Sequence, residues 1–569
     1  MNHVPQSTAG DALAAALARH GVELTFGQSL PSAVQLANQR RGIRQIGYRA
    51  ESTGCYMADG YARVARRIGV VTAQNGPAAT LLVPGLGEAL KASIPLLALV
   101  QDIPRPLGEK NAFQDFDHRA LFAACSKWVG RVETPERLVD YLDQAIVQAT
   151  TGPMGPAVLL LPVDLLDAPA AVEASPRRQA LGDYPLDRTV ADPARIAAAA
   201  GALTRARRPL IVAGGGVHSA DASGELAVLQ ERAGLPVATT VMGKGAVAED
   251  HPLSLGVIGY IMGRHSPTAG LRDWVRGADV VLLVGTRTNQ NGTDSWRLFA
   301  DHTQFIHLDV DGGEVGRNYE ALRLVGDAKL TLQALGAQLG DGEAARRNAL
   351  TRELRAARQS NRGAVAALLT SNDQPVRPER LVGELQKVLT EDTVVVADAS
   401  YASVWIAAYL QSLAPGMRFI TPRGLAGLGW GYPMALGAKL ARPSAPVLCL
   451  VGDGGFAHAW QELETATRLG INVVVTVLNN QVLAYQKDAE VLLFGRSTEA
   501  CDLTPVDHAA IAVACGCRGV RIQRPGDYGP TLARALADPQ TTVIDVLTDP
   551  SAYPPVTAFD ALDGARRGT

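Results

Sequence analysis

Residues 446–485 of the chain, which decide its fold, read PVLCLVGDGGFAHAWQELETATRLGINVVVTVLNNQVLAY. The apolar run at 447–451 predicts a strand that is buried on both faces, and the run at 473–478 predicts a second one. Between them, a helix that ends at Gly470 is predicted by apolar residues at helical spacing, namely Phe456, Ala459, Leu463, Ala466 and Leu469. The stretch is therefore a strand–helix–strand unit. Asp453 and Asn480 follow its two strands, at the edge where open parallel sheets bind ligands.

The residue types at this edge predict a phosphate ligand held through a metal ion. Glycines let the backbone approach a phosphate, and a helix start offers free N–H groups. Asp453 does not suit a bare anion, because at ~4 Å from a phosphate oxygen its charge would cost roughly 4 kcal/mol. A divalent cation between them reverses this repulsion, and Asp and Asn oxygens suit Mg²⁺. An ordinary strand–helix–strand unit with a glycine turn is the alternative.

Length and composition bound the class of protein. A chain of 569 residues with 47% hydrophobic and 19% charged residues is expected to form several globular domains. A net charge of -2 gives no electrostatic case for nucleic acid or an anionic membrane, and the apolar runs are too short to span a bilayer. The start, MNHVPQST, lacks a signal-peptide pattern, so a cytoplasmic protein is expected. Six cysteines without a Cys-x-x-Cys pair favour neither a disulfide framework nor a zinc site.

The order of apolar runs and helical patterns predicts an α/β protein with three doubly wound parallel-sheet domains. We expect these domains at 1–168, 190–340 and 377–555. Strands are predicted at 43–49, 68–73, 95–100 and 156–162 in the first domain, and helices at 52–64 and from Ser7 or Thr8 to Arg19. A Pro-containing linker is predicted at 166–190, a charged helical stretch at 341–376, and a loosely held tail after Pro555.

The motif in the opening stretch resembles a known family. Gly452-Asp453-Gly454 is followed by Asn479-Asn480, with 27 positions from Asp453 to Asn480. This resembles the signature of thiamine diphosphate (ThDP) enzymes of the decarboxylase and acetohydroxyacid synthase superfamily. The resemblance implies that Mg²⁺ is held by Asp453, Asn480 and the backbone carbonyl of Val482.

A second matching segment, YRAESTGCYMADGYAR at 48–63, places Glu51 at the start of a helix. A first-turn glutamate is also favoured by the helix dipole alone. The segment resembles the family helix whose glutamate bonds N1′ of the aminopyrimidine. The resemblance implies that Glu51 drives the imino tautomer that removes the proton from thiazolium C2.

Glycine-rich and small-residue loops resemble the remaining coenzyme contacts. In RGLAGLGWG at 423–431, the resemblance implies that Leu428 supports the bent coenzyme and that the carbonyl of Ala426 accepts from its 4′-amino group. A glycine turn made for packing is the alternative. Further candidate contacts are Gly76, Ser400, Tyr401, Gly454 and Gly455. For Ser400, a plain helix N-cap is the alternative.

Around the reacting carbon the resemblance is to acetohydroxyacid synthases, with departures. Phe113 and Gln114 match the "A-F-Q-E" stretch of those enzymes, and both are candidate catalytic residues; His118 is expected to be a structural or surface histidine. The stretch at 287–293 departs from the FAD-binding "R-F-D-D-R", so that FAD or ADP in the middle domain stays open. Ala489 stands where the specificity tryptophan is expected, and Gln486 where simple decarboxylases carry glutamate.

The resemblance implies an acetolactate synthase-like lyase or transferase. Such an enzyme decarboxylates a 2-oxo acid and ligates the product through a C2 ylid and an enamine. It also implies a homodimer or homotetramer, with active sites at the subunit interface. The alternatives are an acyl-CoA enzyme of the 2-hydroxyacyl-CoA lyase or oxalyl-CoA decarboxylase type, and a catalytically silent scaffold or regulatory relative.

Overall fold

The computed structural model describes residues 7–170, 179–359 and 361–562. It contains three parallel sheets of six strands each, separated by helices, as the sequence predicts. Within the described ranges, no helix is long and apolar enough to cross a membrane.

The first sheet follows the order β2-β1-β3-β4-β6-β5. Its strands are β1 (Leu24–Phe26), β2 (Arg44–Ile46), β3 (Gly69–Ala73), β4 (Leu96–Asp102), β5 (Trp128–Arg131) and β6 (Ala157–Pro162). The helices around it are α1 (Ala9–Arg19), α2 (Ser32–Arg40), α3 (Glu51–Ala65), α4 (Pro77–Leu81), α5 (Val83–Ala92), α6 (His118–Ala123), α7 (Leu138–Thr150) and α8 (Val163–Leu166). Thr8 caps α1 through a capping box with Asp11, which confirms one of the two predicted caps.

The middle sheet follows the order β12-β11-β10-β7-β8-β9. Its strands are β7 (Pro209–Ala213), β8 (Val237–Thr239), β9 (Ser254–Val257), β10 (Val280–Val284), β11 (Gln304–Asp309) and β12 (Ala321–Val325). The helices are α9 (Pro193–Arg205), α10 (Gly215–Ser219), α11 (Ser223–Arg232), α12 (Arg272–Arg276) and α13 (Ala328–Leu339). Renumbered within the domain and read from the other edge, this is the 3-2-1-4-5-6 order of dinucleotide-binding sheets. The charged stretch that follows forms α14 (Ala344–Gln359) and α15 (Arg362–Leu369), as predicted.

The third sheet, in the order β14-β13-β15-β16-β18-β17, repeats the strand order of the first. Its strands are β13 (Val394–Ala397), β14 (Phe419–Ile420), β15 (Val447–Gly452), β16 (Val474–Asn479), β17 (Arg518–Ile522) and β18 (Thr542–Leu547). The helices are α16 (Pro378–Val388), α17 (Tyr401–Tyr409), α18 (Gly431–Ala441), α19 (Asp453–Phe456), α20 (Glu462–Leu469), α21 (Ala484–Phe494), α22 (His508–Ala514) and α23 (Pro525–Ala537).

One hydrophobic core joins the first and third domains through α3 and α18. The two helices approach closely because each places a glycine against the backbone of the other: Gly60 lies against Met434, and Gly437 lies against Met57. Tyr56 of α3 also stacks on Trp430, with ring centroids 4.5 Å apart. The first and third sheets therefore form one packed unit.

Two expectations about secondary structure need correction. The helix predicted from Phe456 to Gly470 is broken, because residues 457–461 form tighter turns between α19 and α20. The three-residue spacing from Phe456 to Ala459 suits such turns as well as a helix, and both side chains are buried. The predicted strand at 43–49 shortens to Arg44–Ile46.

The tail is held where it is described, since Phe559 and Leu562 are buried in the core of the third domain; residues 563–569 lie outside the described ranges. Of the predicted linker, residues 171–178 also lie outside them. In the described part of that linker, Tyr184 is buried and donates to the carbonyl of Ala62 at 2.7 Å. The predicted domain boundaries stay predictions.

Candidate functional site

The site begins at the switch point of the third sheet, where the strand order reverses between β13 and β15. Asp398 and Ser400 follow β13, and Asp453 follows β15. Because parallel strands end at one edge, these residues lie around the same crevice, which is where doubly wound sheets bind ligands.

The three residues predicted to hold a metal lie together at this edge. The carboxylate of Asp453 accepts from the backbone N–H of Gly454 at 2.9 Å and of Gln481 at 2.8 Å. Gln481 has a φ of 60°, so the turn after β16 is tight, and it brings Asn480 and Val482 to the side of Asp453. The side-chain oxygen of Asn480 accepts from Val482 N at 3.3 Å.

Burial raises the pKa of Asp453 to about 6. Within 7–170, 179–359 and 361–562, no Lys, Arg or His forms an ion pair with this carboxylate. A buried carboxylate with an amide oxygen beside it, and without a cationic side chain, is a donor set that suits a hard divalent cation. The residues present therefore fit Mg²⁺.

The paired asparagines have different surroundings. Asn479 is buried, and its amide donates to the Asp545 carboxylate at 2.9 Å and to the Val506 carbonyl at 3.0 Å. Asn480 is only half-buried at the end of the strand. Asn479 thus joins β16 to β18, while Asn480 remains available to a ligand.

Asp398 holds the far end of the glycine-rich loop, residues 423–431. Its carboxylate accepts from the backbone N–H of Gly429 at 2.9 Å, of Trp430 at 3.0 Å and of Gly431 at 3.1 Å. Ala426 in the loop has a φ of 61°, a strained conformation for a residue with a side chain. Leu428 is 36% exposed, so its side chain points away from the core.

The other candidates on this side differ in what their side chains contact. Ser400 has a φ of 63°, and its side chain makes no capping bond to α17. Tyr401 is buried, and its hydroxyl donates to Asp488 at 2.5 Å. The hydroxyl of Tyr401 is therefore already engaged within the protein. At Gly455 any Cβ would collide with the Asp398 carboxylate, so packing alone requires a glycine at this position.

In the first domain, Glu51 is the first residue of α3, as predicted. The backbone before it is held by Glu462 of the third domain, whose buried carboxylate accepts from Arg49 N at 3.1 Å and Ala50 N at 3.2 Å. In the described part of the chain, no hydrogen bond or ion pair joins Glu51 to Asp453 or Asn480. Glu51 and the predicted metal ligands are therefore not bonded to each other in the part of the chain that the structure describes.

The loop at 74–77 and the strained Gln114, both singled out by the sequence, lie against each other in the first domain. Gln114 has a φ of 59°; its side chain accepts from Gln74 at 2.8 Å and its carbonyl from Asn75 at 3.0 Å. Gly76, with a φ of 66°, donates its N–H to His118 Nε2 at 2.9 Å. His118 is buried beside Asp102, so it is a structural histidine, as one of the two expectations had it.

Comparisons with known proteins show the family to which the three sheets belong. Three family models match the chain: "Thiamine pyrophosphate enzyme, N-terminal TPP binding domain" at residues 7–121, the "central domain" at 196–335, and the "C-terminal TPP binding domain" at 398–546. The chain is 32% identical over 560 residues to a probable acetolactate synthase large subunit of Methanocaldococcus jannaschii, covering 96% of this chain and 93% of that protein. The chain belongs to the thiamine pyrophosphate (ThDP) enzyme family.

Other relatives of this ThDP enzyme carry similar names. An acetolactate synthase of Arthrospira platensis is 32% identical over 571 residues, covering 97% of this chain and 96% of that protein. The acetolactate synthase isozyme 2 large subunit of Escherichia coli is 31% identical over 487 residues, or 85% of this chain and 84% of that protein. The family therefore extends over all three sheets.

A cavity of about 490 Å³ lies at the switch point of the middle sheet of this ThDP enzyme, between β7 and β10, and residues of the first and third domains also line it. Gly215 and Gly216 line one side, and Asp309 at the end of β11 lines another. Burial raises the pKa of Asp309 to about 6. Arg287 also lines the cavity, but its guanidinium donates to the carbonyl of Lys91 and to the Ser93 hydroxyl.

Sequence reasoning missed two carboxylates that organise the site, Asp398 and Glu462. Asp398 follows a buried strand directly, which is a signal that could have been used. Glu462 gives no such signal, because it stands among helical residues and its partners are 412 to 413 positions away.

Proposed function

We propose that the chain is a ThDP- and Mg²⁺-dependent carbon–carbon lyase and ligase that acts on 2-oxo acids, by decarboxylation and carboligation as in an acetolactate synthase. The observation that carries the proposal is the buried Asp453 carboxylate beside Asn480 at the switch point of the third sheet, which no Lys, Arg or His of the described residues pairs with. The names of the relatives support the reaction class.

Each part of the proposed chemistry has a candidate residue in this chain. Asp453, Asn480 and the Val482 carbonyl would hold Mg²⁺ and, through it, the diphosphate of the coenzyme. Bound ThDP supplies a carbon nucleophile and an electron sink next to the substrate carbonyl. Glu51 would hold and return a proton at N1′ of the aminopyrimidine, and the Ala426 carbonyl would accept from the 4′-amino group.

The pocket for the reacting carbon differs from that of a biosynthetic synthase. Gln114 is fixed by its contacts to the 74–77 loop, and this supports a role in orienting a substrate carboxylate or carbonyl. On α21, Ala489 stands at the position expected for the specificity tryptophan, and the next residue, Glu490, accepts from Gln486 at 3.0 Å. We therefore infer a 2-oxo acid acceptor or donor that is bulkier or more polar than pyruvate.

We also propose a homodimer or homotetramer in which Glu51 of one subunit meets the metal residues of another. In the described part of one chain, no hydrogen bond or ion pair joins Glu51 to those residues, and this is consistent with a site that a second subunit completes. So does Phe113, which is 85% exposed although it adjoins Gln114. A second copy would cover this side chain and exclude water from the reacting carbon.

For the middle domain we propose an adenosine-containing ligand, FAD or ADP, in the 490 Å³ cavity. The dinucleotide-binding strand order and the glycines after β7 support this class of ligand. A yellow preparation with flavin absorbance would indicate FAD, whereas a colourless protein that releases ADP on denaturation would indicate the nucleotide alone.

The test is turnover after reconstitution. The protein is dialysed against a chelator, ThDP and Mg²⁺ are added back, and products from a panel of 2-oxo acids and 2-hydroxyacyl-CoAs are identified by mass spectrometry. Carboligation products that need both cofactors support the proposal. Aldehyde and formyl-CoA from a hydroxyacyl-CoA would replace it with the acyl-CoA reaction, and the absence of cofactor-dependent turnover would refute it.

The role of Glu51 has its own test. Glu51→Gln keeps the shape of the side chain, so ThDP should stay bound while exchange of the C2 proton for deuterium is lost. Unchanged exchange would remove Glu51 from this role.

A further inference from the structure

The glycine-rich loop at 423–431 is hydrogen-bonded at each end to a buried carboxylate, and the two carboxylates come from different domains. Asp398 of the third domain accepts three backbone N–H groups at the far end of the loop. At the near end, Glu88 on α5 of the first domain accepts from Gly424 N at 2.7 Å and Leu425 N at 2.6 Å. Residues 426–428 lie between the two anchors, and Leu428 among them is 36% exposed.

The contact between α5 and the loop leaves no spare room. Glu88 is fully buried, and a Cβ at Gly424 would lie 2.6 Å from the Glu88 carbonyl oxygen and 2.9 Å from Oε2. A side chain at this position would therefore push the loop away from α5. The backbone of the loop and the carboxylate of Glu88 form a direct contact across the domain boundary.

The charge of Glu88 is partly balanced inside the same cluster. Arg63 of α3 pairs with Asp59 at 2.5 Å and lies 3.5 Å from Glu88 Oε1. Its Nη1 also donates to the carbonyl of Thr421, just before the loop, at 3.4 Å. One guanidinium thus serves two carboxylates, and the two loop N–H groups supply the remaining stabilisation of the Glu88 charge.

Each carboxylate oxygen of Glu88 accepts a backbone N–H, so this position requires a side chain with two acceptor oxygens. An amide in its place would present an N–H₂ group to one of the two backbone donors. One loop N–H would then lose its acceptor in a buried site, and the loss of a charge-assisted bond would loosen that end of the loop.

We propose that Glu88 is a positioning residue for the coenzyme loop: its carboxylate fixes the Ala426 carbonyl and the Leu428 side chain before ThDP binds. The proposal rests on the ThDP site proposed above. It gives the first domain a second part in coenzyme binding besides Glu51, through a side chain that touches neither coenzyme nor substrate.

The experiment compares Glu88→Gln with the wild type in two measurements. Amide hydrogen exchange of a peptide covering 423–431, in the protein freed of ThDP, should be roughly 10-fold faster, because one buried bond to a charged acceptor is lost. The Kd for ThDP at saturating Mg²⁺ should rise by about the same factor. Wild-type exchange and an unchanged Kd would overturn the proposal.

The matched control is Tyr184→Phe, which removes the bond to the Ala62 carbonyl on the neighbouring helix α3. This variant should lose global stability and keep both loop exchange and the Kd. If it speeds loop exchange as much as Glu88→Gln does, Glu88 has no specific role.

Two outcomes separate this proposal from the one on which it rests. If Glu88→Gln does not fold, the second variant is Gly424→Ala, which displaces the same end of the loop and leaves the carboxylate intact. It should give the same faster exchange and higher Kd, and wild-type values in this variant would overturn the positioning role. If the wild type itself binds no ThDP, the proposed function fails, whereas the exchange measurement still decides whether Glu88 holds the loop.

Discussion

Removal of the Glu462 carboxylate should loosen the backbone that places Glu51 at the start of α3. The carboxylate accepts from Arg49 N and Ala50 N, immediately before α3, and from the hydroxyls of Thr53 at 2.5 Å and Thr465 at 2.7 Å. A hydrogen bond to a charged group contributes about 1.5–3 kcal/mol, but burial raises the pKa of Glu462 and offsets part of this gain. We expect Glu462→Ala to lower the free energy of unfolding by about 3–4 kcal/mol.

Glu462→Gln should be much milder. The amide oxygen can take the place of Oε1, which accepts from both backbone N–H groups and from Thr53, while the Thr465 hydroxyl can turn to accept from the amide nitrogen. We expect a loss of only about 1 kcal/mol for this change.

The assay combines urea unfolding with amide exchange of a peptide covering 48–53 and with C2 proton exchange of bound ThDP. In Glu462→Ala, the peptide should lose protection and C2 exchange should slow, because Glu51 is no longer held. The control Thr465→Val removes one bond to the carboxylate without touching α3, so it should cost stability and leave C2 exchange intact. Equal effects of Glu462→Ala and Glu462→Gln would refute this reasoning.

Three further predictions concern assembly, packing and pH. An equal mixture of Glu51→Gln and Asp453→Ala chains, refolded together, should recover about a quarter of wild-type activity, since random pairing gives half mixed dimers with one intact site each; no recovery would contradict a site shared between subunits. Gly455→Ala should lower the free energy of unfolding, measured by heat or urea, by about 1–3 kcal/mol, because the new Cβ displaces the carboxylate at the end of β13. Gly452→Ala in the same turn should be neutral, because a Cβ there meets nothing within 4 Å. Burial lowers the pKa of His307 to about 4 from its ordinary 6.5. Between these pH values the unfolded chain binds a proton that the folded chain does not, so the free energy of unfolding should fall by on the order of 3 kcal/mol as the pH drops from 7 to 4. The His307→Asn variant should show a shallower fall over the same range.

The local parts of the fold and site were predictable from sequence. Buried parallel strands are continuous apolar runs, so β15 and β16 could be placed within a residue of their observed ends, and the residues that follow them had to share an edge. Glu51 at the start of a helix was likewise a local feature.

Features that depend on long-range contacts were not predictable. The break between α19 and α20 leaves the same spacing of apolar residues as a continuous helix would, so the sequence does not reveal it. The burial of Phe559 depends on the aromatic ring of Tyr401, more than a hundred residues earlier. Glu88 meets the loop 336 to 337 positions away. A buried carboxylate whose partners are backbone N–H groups of another domain leaves no pattern in its own stretch of sequence.

The reciprocal glycines of α3 and α18 have a mechanical consequence. With backbone lying against backbone, no flexible side chain stands between the helix that begins at Glu51 and the helix that follows the coenzyme loop. Sliding of one helix over the other would open voids or cause collisions at once, so the pair behaves as a rigid frame. Any opening that admits a coenzyme or releases a product is then confined to the short connections at the rim of that frame.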